Sequence, residues 1–385
     1  MSGKIKIVHV LSNLSLGGAQ VLVFDILKNL IKKNDLELSV ITIDSGEYKE
    51  KYENAGIRVY DLNEKGLINP KIYFKMKKLL LEIKPDIVHT HLNKADFYGR
   101  IAAKQTGVKV IFSTCHNYSS HHKGADINKK SMFDRIDDVV ISYSKSNLIA
   151  ISEIVKKYLV NRNRRYEKNT ELIYNGLNVD KEKYILNEDE LLNLRNEYNY
   201  LKSDFIISIL GRLDIQKGHD FFIRSVKEFL TENKNVKVLI LGDGKLRNDI
   251  EKLISDSNLS EQIRLIGFQQ DTERFIEMSD LICVPSLWEG FGLVIIEAMI
   301  KGKLVLASNT GGIPEIIEDN VNGFLFETAD KKDLIKNLDY IYENRNDLDE
   351  IRKNAVETVK SKFDIAANSE KYYRLYIDKL KLKKT

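Results

Sequence analysis

The chain has 385 residues, too many for one ordinary core and a natural length for two domains of about 150–200 residues each. Its 60 Lys and Arg against 56 Asp and Glu give a net charge of +4, a mild excess that suits phosphate-bearing ligands or an anionic membrane surface. No basic stripe with interleaved aromatics occurs, which excludes a dedicated nucleic-acid binder. The two cysteines, Cys115 and Cys283, each lie in an apolar strand-like run and read as buried thiols in a reducing cytoplasm, not as a disulfide or metal site. The N-terminal Met-Ser-Gly-Lys-Ile-Lys enters a strand without the apolar stretch of a signal peptide. No apolar run approaches the ~18–20 residues of a membrane span. A cytoplasmic protein is expected, with any membrane contact peripheral and at the inner face.

In chain order, strand-like runs fall at 5–11, 37–43, 86–90, 108–113, 147–151 and 171–174, with helical patterns between them at 19–33, 71–84, 94–106 and 153–160. That alternation marks a parallel, doubly wound sheet. A polar stretch, 175–203, containing a charged helix at 188–198, interrupts the rhythm and reads as the connection. Strands resume at 204–210, 236–241, 262–266, 280–284 and 303–307, each followed by a helix starting near 218, 245, 271, 292 and 313. The fold class is therefore α/β, with two Rossmann-like domains. The N-terminal domain spans 1–177 and the C-terminal domain 178–364, with a terminal helix, 365–385, that packs back on the first. Ligands of open α/β sheets bind beyond the carboxyl ends of the strands, so the strand-to-helix loops carry the functional reading.

The loop after the first strand is Leu16-Gly17-Gly18-Ala19-Gln20. Its glycines would let a phosphate approach a helix N-terminus, or would serve a turn needing positive φ. No third glycine completes a dinucleotide fingerprint there, nor after Gly242-Asp243-Gly244, where Arg247 takes its place. The second domain opens with Gly211-Arg212-Leu213 and continues to Lys217-Gly218. Two cations five residues apart in one strand-end loop can converge on a diphosphate. In 285–298, PSLWEGFGLVIIEA, Glu289 sits in a glycine-flanked loop and Glu297 in the second turn of the next helix. A helical spacing of ~12 Å is too long for carboxylates sharing a proton and suits gripping two parts of an extended ligand. His116 ends a strand within Thr-Cys-His-Asn and is either a polar contact to a ligand or a capping histidine. His89 and His91 alternate onto one face of a strand end, a possible metal pair without an apparent third ligand. Asp347-Leu348-Asp349 falls between charged helices, where Asp caps helices and does not hold a metal.

In order, GGAQ, GRL…QKG, LGDG, EGFG with E-x7-E and TGGIPEII resemble the retaining family 4 glycosyltransferases of the GT-B fold, over residues 5–327. The resemblance implies two domains facing each other across a donor-binding cleft. It assigns Gly17 and Gly18 to the donor phosphate, Arg212 and Lys217 to the diphosphate, Glu289 to the donor sugar and Glu297 to the ribose hydroxyls. The backbone of Phe291, Gly292 and Leu293 would line sugar and phosphate, His116 would meet the reacting sugar, and Asn175 would join the donor site. His91 is an acceptor-side candidate. Asn178 stands where the family commonly has Asp, and Leu304 where it often has Pro.

The implied reaction moves a sugar from a nucleoside diphosphate, with UDP-hexose or UDP-N-acetylhexosamine favoured, to a hydroxyl of a saccharide or lipid-linked acceptor. The anomeric configuration would be retained and no metal cofactor used, in cell-envelope, capsular or exopolysaccharide synthesis. A sugar-nucleotide 2-epimerase of the same fold and a noncatalytic sugar-nucleotide-binding subunit are the alternatives. The helix 71–84, with Lys71, Lys75, Lys77 and Lys78 beside Phe74 and Leu79–Leu81, reads either as a lipid-facing helix or as a sheet-covering one with a solvated basic face.

Overall fold

A computed structural model of the chain describes residues 3–66, 68–118, 131–179 and 186–383. Residues 180–185 of the expected connection and the last two of the expected terminal helix lie outside the described residues. The chain divides into two compact units, Met1–Asn178 with Asp364–Thr385, and Val179–Phe363.

The first unit is built on β1 (Ile5–Leu11), β2 (Leu36–Thr42), β3 (Arg58–Asp61), β4 (Ile87–His91), β5 (Val110–Cys115), β6 (Asn147–Ala150) and β7 (Thr170–Leu172). All pair in parallel, in the order β3-β2-β1-β4-β5-β6-β7. Such strands are covered on both faces and therefore read as near-continuous apolar runs; β4 is buried throughout. One face is covered in part by the terminal helix Ile365–Lys381, whose Ile365, Tyr372, Tyr376 and Leu380 join Ile7, Phe112 and Ile149 in one core cluster. Asp364 caps that helix by accepting from the Ala366 and Ala367 amides.

The second unit comprises β8 (Phe205–Leu210), β9 (Val236–Leu241), β10 (Ile263–Gly267), β11 (Leu281–Val284), β12 (Leu304–Ser308) and β13 (Phe324–Phe326), in the order β10-β9-β8-β11-β12-β13. Its core runs from Ile207 and Ile209 through Phe222 and Val238 to Leu306 and Phe324. Both units are thus parallel-sheet, Rossmann-like α/β structures. Both cysteines are free thiols, and burial raises the thiol of Cys283 and pushes that of Cys115 up to about 12.

Four features differ from the sequence reading. β3 and β13 were not anticipated, being edge strands of four and three residues. The helix Met132–Ser144, fixed by a reciprocal Ser131–Asp134 capping box, was likewise missed. The helix expected near 313 is a single 3-10 turn, Ile313–Glu315, entered through Pro314. Gly17 is extended, with φ −168°, so no positive-φ turn requires it; an added Cβ would instead lie 2.7 Å from the Gln20 side-chain oxygen.

Candidate active site

In the second unit the connections from β8 and β11, which are neighbours in the sheet, run to opposite sides. This is the switch point at which open α/β sheets leave a crevice. Gly218, at φ +68°, brings the loop after β8 so near the loop after β11 that an added Cβ would sit 1.9 Å from the Pro285 carbonyl oxygen. Across that contact the Leu287 amide donates to the Gln216 carbonyl at 2.8 Å, and the Gln216 side chain donates to the Trp288 carbonyl at 3.0 Å. The Gly312 amide, from the loop after β12, donates to the Glu289 carbonyl at 3.0 Å. Three strand-end loops are thereby locked together around Glu289.

The Glu289 carboxylate accepts from Lys217 Nζ at 2.6 Å and from Ser286 Oγ at 3.3 Å, both on Oε2. Among the described residues no partner engages Oε1. The pair is largely buried, with side-chain exposures of 21% for Lys217 and 11% for Glu289, so its hydrogen bond is stronger than a surface ion pair. Two residues read separately in the sequence thus form one unit. Arg212 takes a different course: it is 71% exposed and its Nε donates to Asp214 at 2.8 Å. Gly292, at φ +102°, caps the helix Leu293–Ile300, where a side chain would be strained and would meet Ile295 at 2.9 Å. The loop therefore presents a carboxylate, a lysine and a glycine-entered helix N-terminus, groups able to hold a sugar and a diphosphate. Sequence reasoning passed over His219 and Trp288. Both His219 ring nitrogens and Trp288 Nε1 are buried without hydrogen-bond partners among the described residues. The signal for His219 was a histidine opening a helix directly after Gly218, ahead of the apolar run Phe221-Phe222-Ile223.

The first unit has its own switch point, between β1 and β4. The register pairs His9 with His89 and Leu11 with His91, so a third imidazole joins the two read from the sequence. The ring nitrogens of His9, His89 and His91 lie within 4.8 Å of one another, which corrects the reading that no third ligand exists. Each of these nitrogens already has a protein partner. His9 Nδ1 lies 3.0 Å from His91 Nε2 and His9 Nε2 lies 3.4 Å from the Tyr376 hydroxyl. His89 bonds Tyr376 at 2.6 Å and Thr114 at 2.8 Å, and His91 Nδ1 lies 3.2 Å from His116 Nε2. The cluster is a hydrogen-bonded array in this state, and a metal would have to displace those bonds.

Comparison with known proteins gives this geometry a context. Residues 16–181 match the model of glycosyltransferase family 4, and residues 192–358 match that of the glycosyl transferases group 1. A glycosyltransferase of Methanocaldococcus jannaschii is 30% identical over 86% of this chain and 87% of its own. The chain is a group 1, family 4 glycosyltransferase. The Escherichia coli UDP-Gal:alpha-D-GlcNAc-diphosphoundecaprenol alpha-1,3-galactosyltransferase is 28% identical to it over 97% of each chain. The crystal structure of Anabaena HepE in complex with UDP and glucose superposes on it with a TM-score of 0.84, covering 97% of this chain and all of that one at 22% identity, and shares the GT-B fold.

The other candidate residues of this glycosyltransferase are placed as follows. Gly18 opens the helix Gly18–Leu30. Asn175 is buried, and its side-chain oxygen has no hydrogen-bond partner among the described residues. Phe291 is buried edge-to-face against Phe363, so only its backbone is available to a ligand. Leu293 begins the helix that carries Glu297 in its second turn, as the spacing predicted. His91 requires correction: it is 1% exposed and both its nitrogens are engaged, so it reaches a ligand only through His116. Asp349 lies in the first turn of the helix Asp349–Lys362 and pairs with Arg352.

Burial holds His9, His89, His91 and His116 of this glycosyltransferase neutral. Desolvation lowers His9 to about 3 and His116 to about 4; it also takes His89 and His91 well below their ordinary value, helped by neighbouring imidazoles. Unfolded histidines protonate near 6.5. Stability from these rings is therefore complete above pH 6.5 and is lost as pH falls toward the folded values. At pH 5.5 the proton uptake that these rings gain only on unfolding costs the fold a few kcal/mol in all, on the order of 1 kcal/mol per ring. Asp96, which burial raises to about 6, has the opposite sign and offsets a fraction. Thermal melting at pH 7.5 and 5.5 should show a fall of about 10 °C; an unchanged midpoint would contradict the desolvated cluster.

Proposed function

We propose that the protein transfers a hexose or N-acetylhexosamine from a UDP-sugar to a hydroxyl of a lipid-linked saccharide, with anomeric retention, in cell-envelope, capsular or exopolysaccharide synthesis. The observation that carries this reading is the Lys217–Glu289 pair, held at the sheet's switch point beside a glycine-entered helix. As the bond to the diphosphate breaks, negative charge grows on the leaving oxygen. Lys217, Arg212 and the amides at the helix start stabilise it, and Gly17 and Gly18 are assigned to the donor phosphate. Preorganised electrostatics of this kind commonly contribute more to catalysis than any other effect. Glu289 accepts a hydroxyl of the donor sugar, Glu297 holds the ribose, His116 meets the reacting sugar, and Asn175 with the backbone of Phe291, Gly292 and Leu293 lines the donor. The acceptor attacks from the side the diphosphate leaves, and the diphosphate takes its proton, so no protein base is assigned. A lipid-linked acceptor is favoured by the relative in Escherichia coli, whose name specifies one.

Work at the inner membrane surface, in the cytoplasm, fits the first unit. No helix among the described residues is long and apolar enough to cross a membrane. The helix Pro70–Ile83 buries Ile72, Met76 and Leu80 on the sheet yet leaves Phe74 and Leu81 exposed. Two helices along, Met132–Ser144 exposes Met132, Ile136, Val139 and Tyr143 at helical spacing. With Lys71, Lys77 and Lys78 nearby in the chain, this face suits anionic lipid.

One experiment tests donor, acceptor and surface together: a panel of UDP-sugars is offered with a polyprenyl-diphosphate-linked sugar in anionic or neutral vesicles. UDP release and extension of the lipid-linked sugar, with recovery on anionic vesicles, are expected. Conversion of a lone UDP-sugar to its epimer would indicate the isomerase instead, and binding without turnover a noncatalytic subunit. Equal recovery on both vesicle types at low salt would remove the membrane contact.

A further inference from the structure

We infer that Tyr376, His9 and His91 are positioning residues that decide which ring nitrogen of His116 carries its proton. The inference deepens the proposed reading, because it matters to transfer only if His116 meets the donor sugar. It starts from an unbroken line of contacts: Tyr376 to His9 at 3.4 Å, His9 to His91 at 3.0 Å, and His91 to His116 at 3.2 Å. The line runs from the terminal helix, across β1 and β4, to the residue after β5. His9, His91 and Tyr376 are at most 1% exposed, so water does not interrupt it there.

A neutral imidazole has one N–H and one lone pair. Each link needs one donor and one acceptor, so the direction of any link dictates the direction of every other. Burial keeps all these rings neutral at ordinary pH. The Tyr376 hydroxyl has one proton and two imidazole neighbours, and must donate to one while accepting from the other. Its 2.6 Å contact with His89 Nδ1 is shorter than a neutral N–H donor makes and belongs to an O–H donor. Tyr376 therefore donates to His89, and His89 Nε2 donates onward to Thr114 at 2.8 Å. His9 must then donate from Nε2 to the phenol oxygen, leaving Nδ1 to accept from His91 Nε2. His91 Nδ1 in turn accepts from His116 Nε2. The line ends with the lone pair of His116 on Nδ1, a tautomer that accepts a hydrogen bond from a sugar hydroxyl.

The same contacts explain why the terminal helix carries a tyrosine within a core that leucine or phenylalanine would fill. The hydroxyl of Tyr376 is the one group in the line with rotational choice, and its bond to His89 removes that choice.

The full chain, labelled with nitrogen-15 at histidine and kept in chelator, reports each ring's tautomer through long-range proton–nitrogen correlation at pH 7.5; single histidine variants assign the signals. His9, His91 and His116 should each be protonated on Nε2 alone. Tyr376→Phe, with its melting checked, should convert His116 from one tautomer to a mixture, and Tyr372→Phe should not. Protonation of wild-type His116 on Nδ1, or an unchanged His116 in a folded Tyr376→Phe, would overturn the inference. The wild-type spectrum decides the direction even if that variant does not fold. These readings need no substrate. Titration with UDP-sugars that left the His116 signals unmoved would instead remove its contact with the donor, and leave the line of hydrogen bonds standing.

Discussion

Glu289→Gln is expected to lower kcat by about 100–1000-fold while UDP binding changes by less than about threefold. The substitution keeps the shape of the side chain and removes its charge. In the structure that charge does two jobs. It holds Lys217 through a 2.6 Å hydrogen bond, and it offers a second oxygen to the donor. A sugar that loses its diphosphate acquires positive charge at the anomeric carbon, so hydrogen bonds to an ionised carboxylate strengthen as the reaction proceeds. An amide supplies neither the charge nor the grip on Lys217. On the proposed reading UDP is held by the cations and helix amides and the carboxylate holds the sugar, so UDP affinity should survive. Steady-state kinetics with the best UDP-sugar, together with calorimetric UDP binding, separate the two effects. More than about a tenth of wild-type kcat in the variant would show that Glu289 has no such role.

Lys217→Ala should be nearly as damaging, with kcat/KM down about 100-fold, and the wild-type enzyme should keep its rate in excess chelator. The leaving diphosphate needs a cation, which either protein or metal can supply. Lys217 lies over Gly211, within 3.3 Å of where a Cβ would be, and Glu289 fixes its ammonium, so the lysine is preorganised. Loss of the lysine also leaves Glu289 as a largely buried carboxylate without its cation, which adds to the damage. Arg at this position should not rescue, since a planar fork does not fit where a compact ammonium sits. Activity that vanished in chelator and returned with magnesium or manganese would reverse this assignment, and full activity of Lys217→Ala would remove the lysine from the mechanism.

The central strands were readable because parallel strands buried on both faces are apolar runs, and β1 and β9 fall where their runs do. Edge strand β3 was not, since it begins at Arg58, ends at Asp61 and has no fully buried residue; nor was β13, which is only the three residues Phe324–Phe326. The helix Met132–Ser144 hid for another reason: it is apolar both at buried Val140 and Ile141 and at exposed Ile136 and Val139, which blurs helical periodicity. Glu289 and Lys217 each stood out by motif, but a contact across 72 residues is tertiary and leaves no local trace. His9 was visible as a histidine inside the apolar run of β1, yet its meeting with His89 depends on strand register, which sequence spacing does not reveal.

The terminal helix also bears on how the chain comes to be folded. Its Ile365, Tyr372, Tyr376 and Leu380 complete the core of the first unit, although all seven strands of that unit are synthesised by Leu172. An emerging chain therefore holds the strands of this sheet without the helix that covers their apolar stripe while the whole of the second unit is being made. Vectorial synthesis, which usually lets an N-terminal domain finish first, here favours the second unit, whose strands and core lie wholly within Val179–Phe363. The first unit closes last, and until it does, His9 and His89 lack the phenol that orders them.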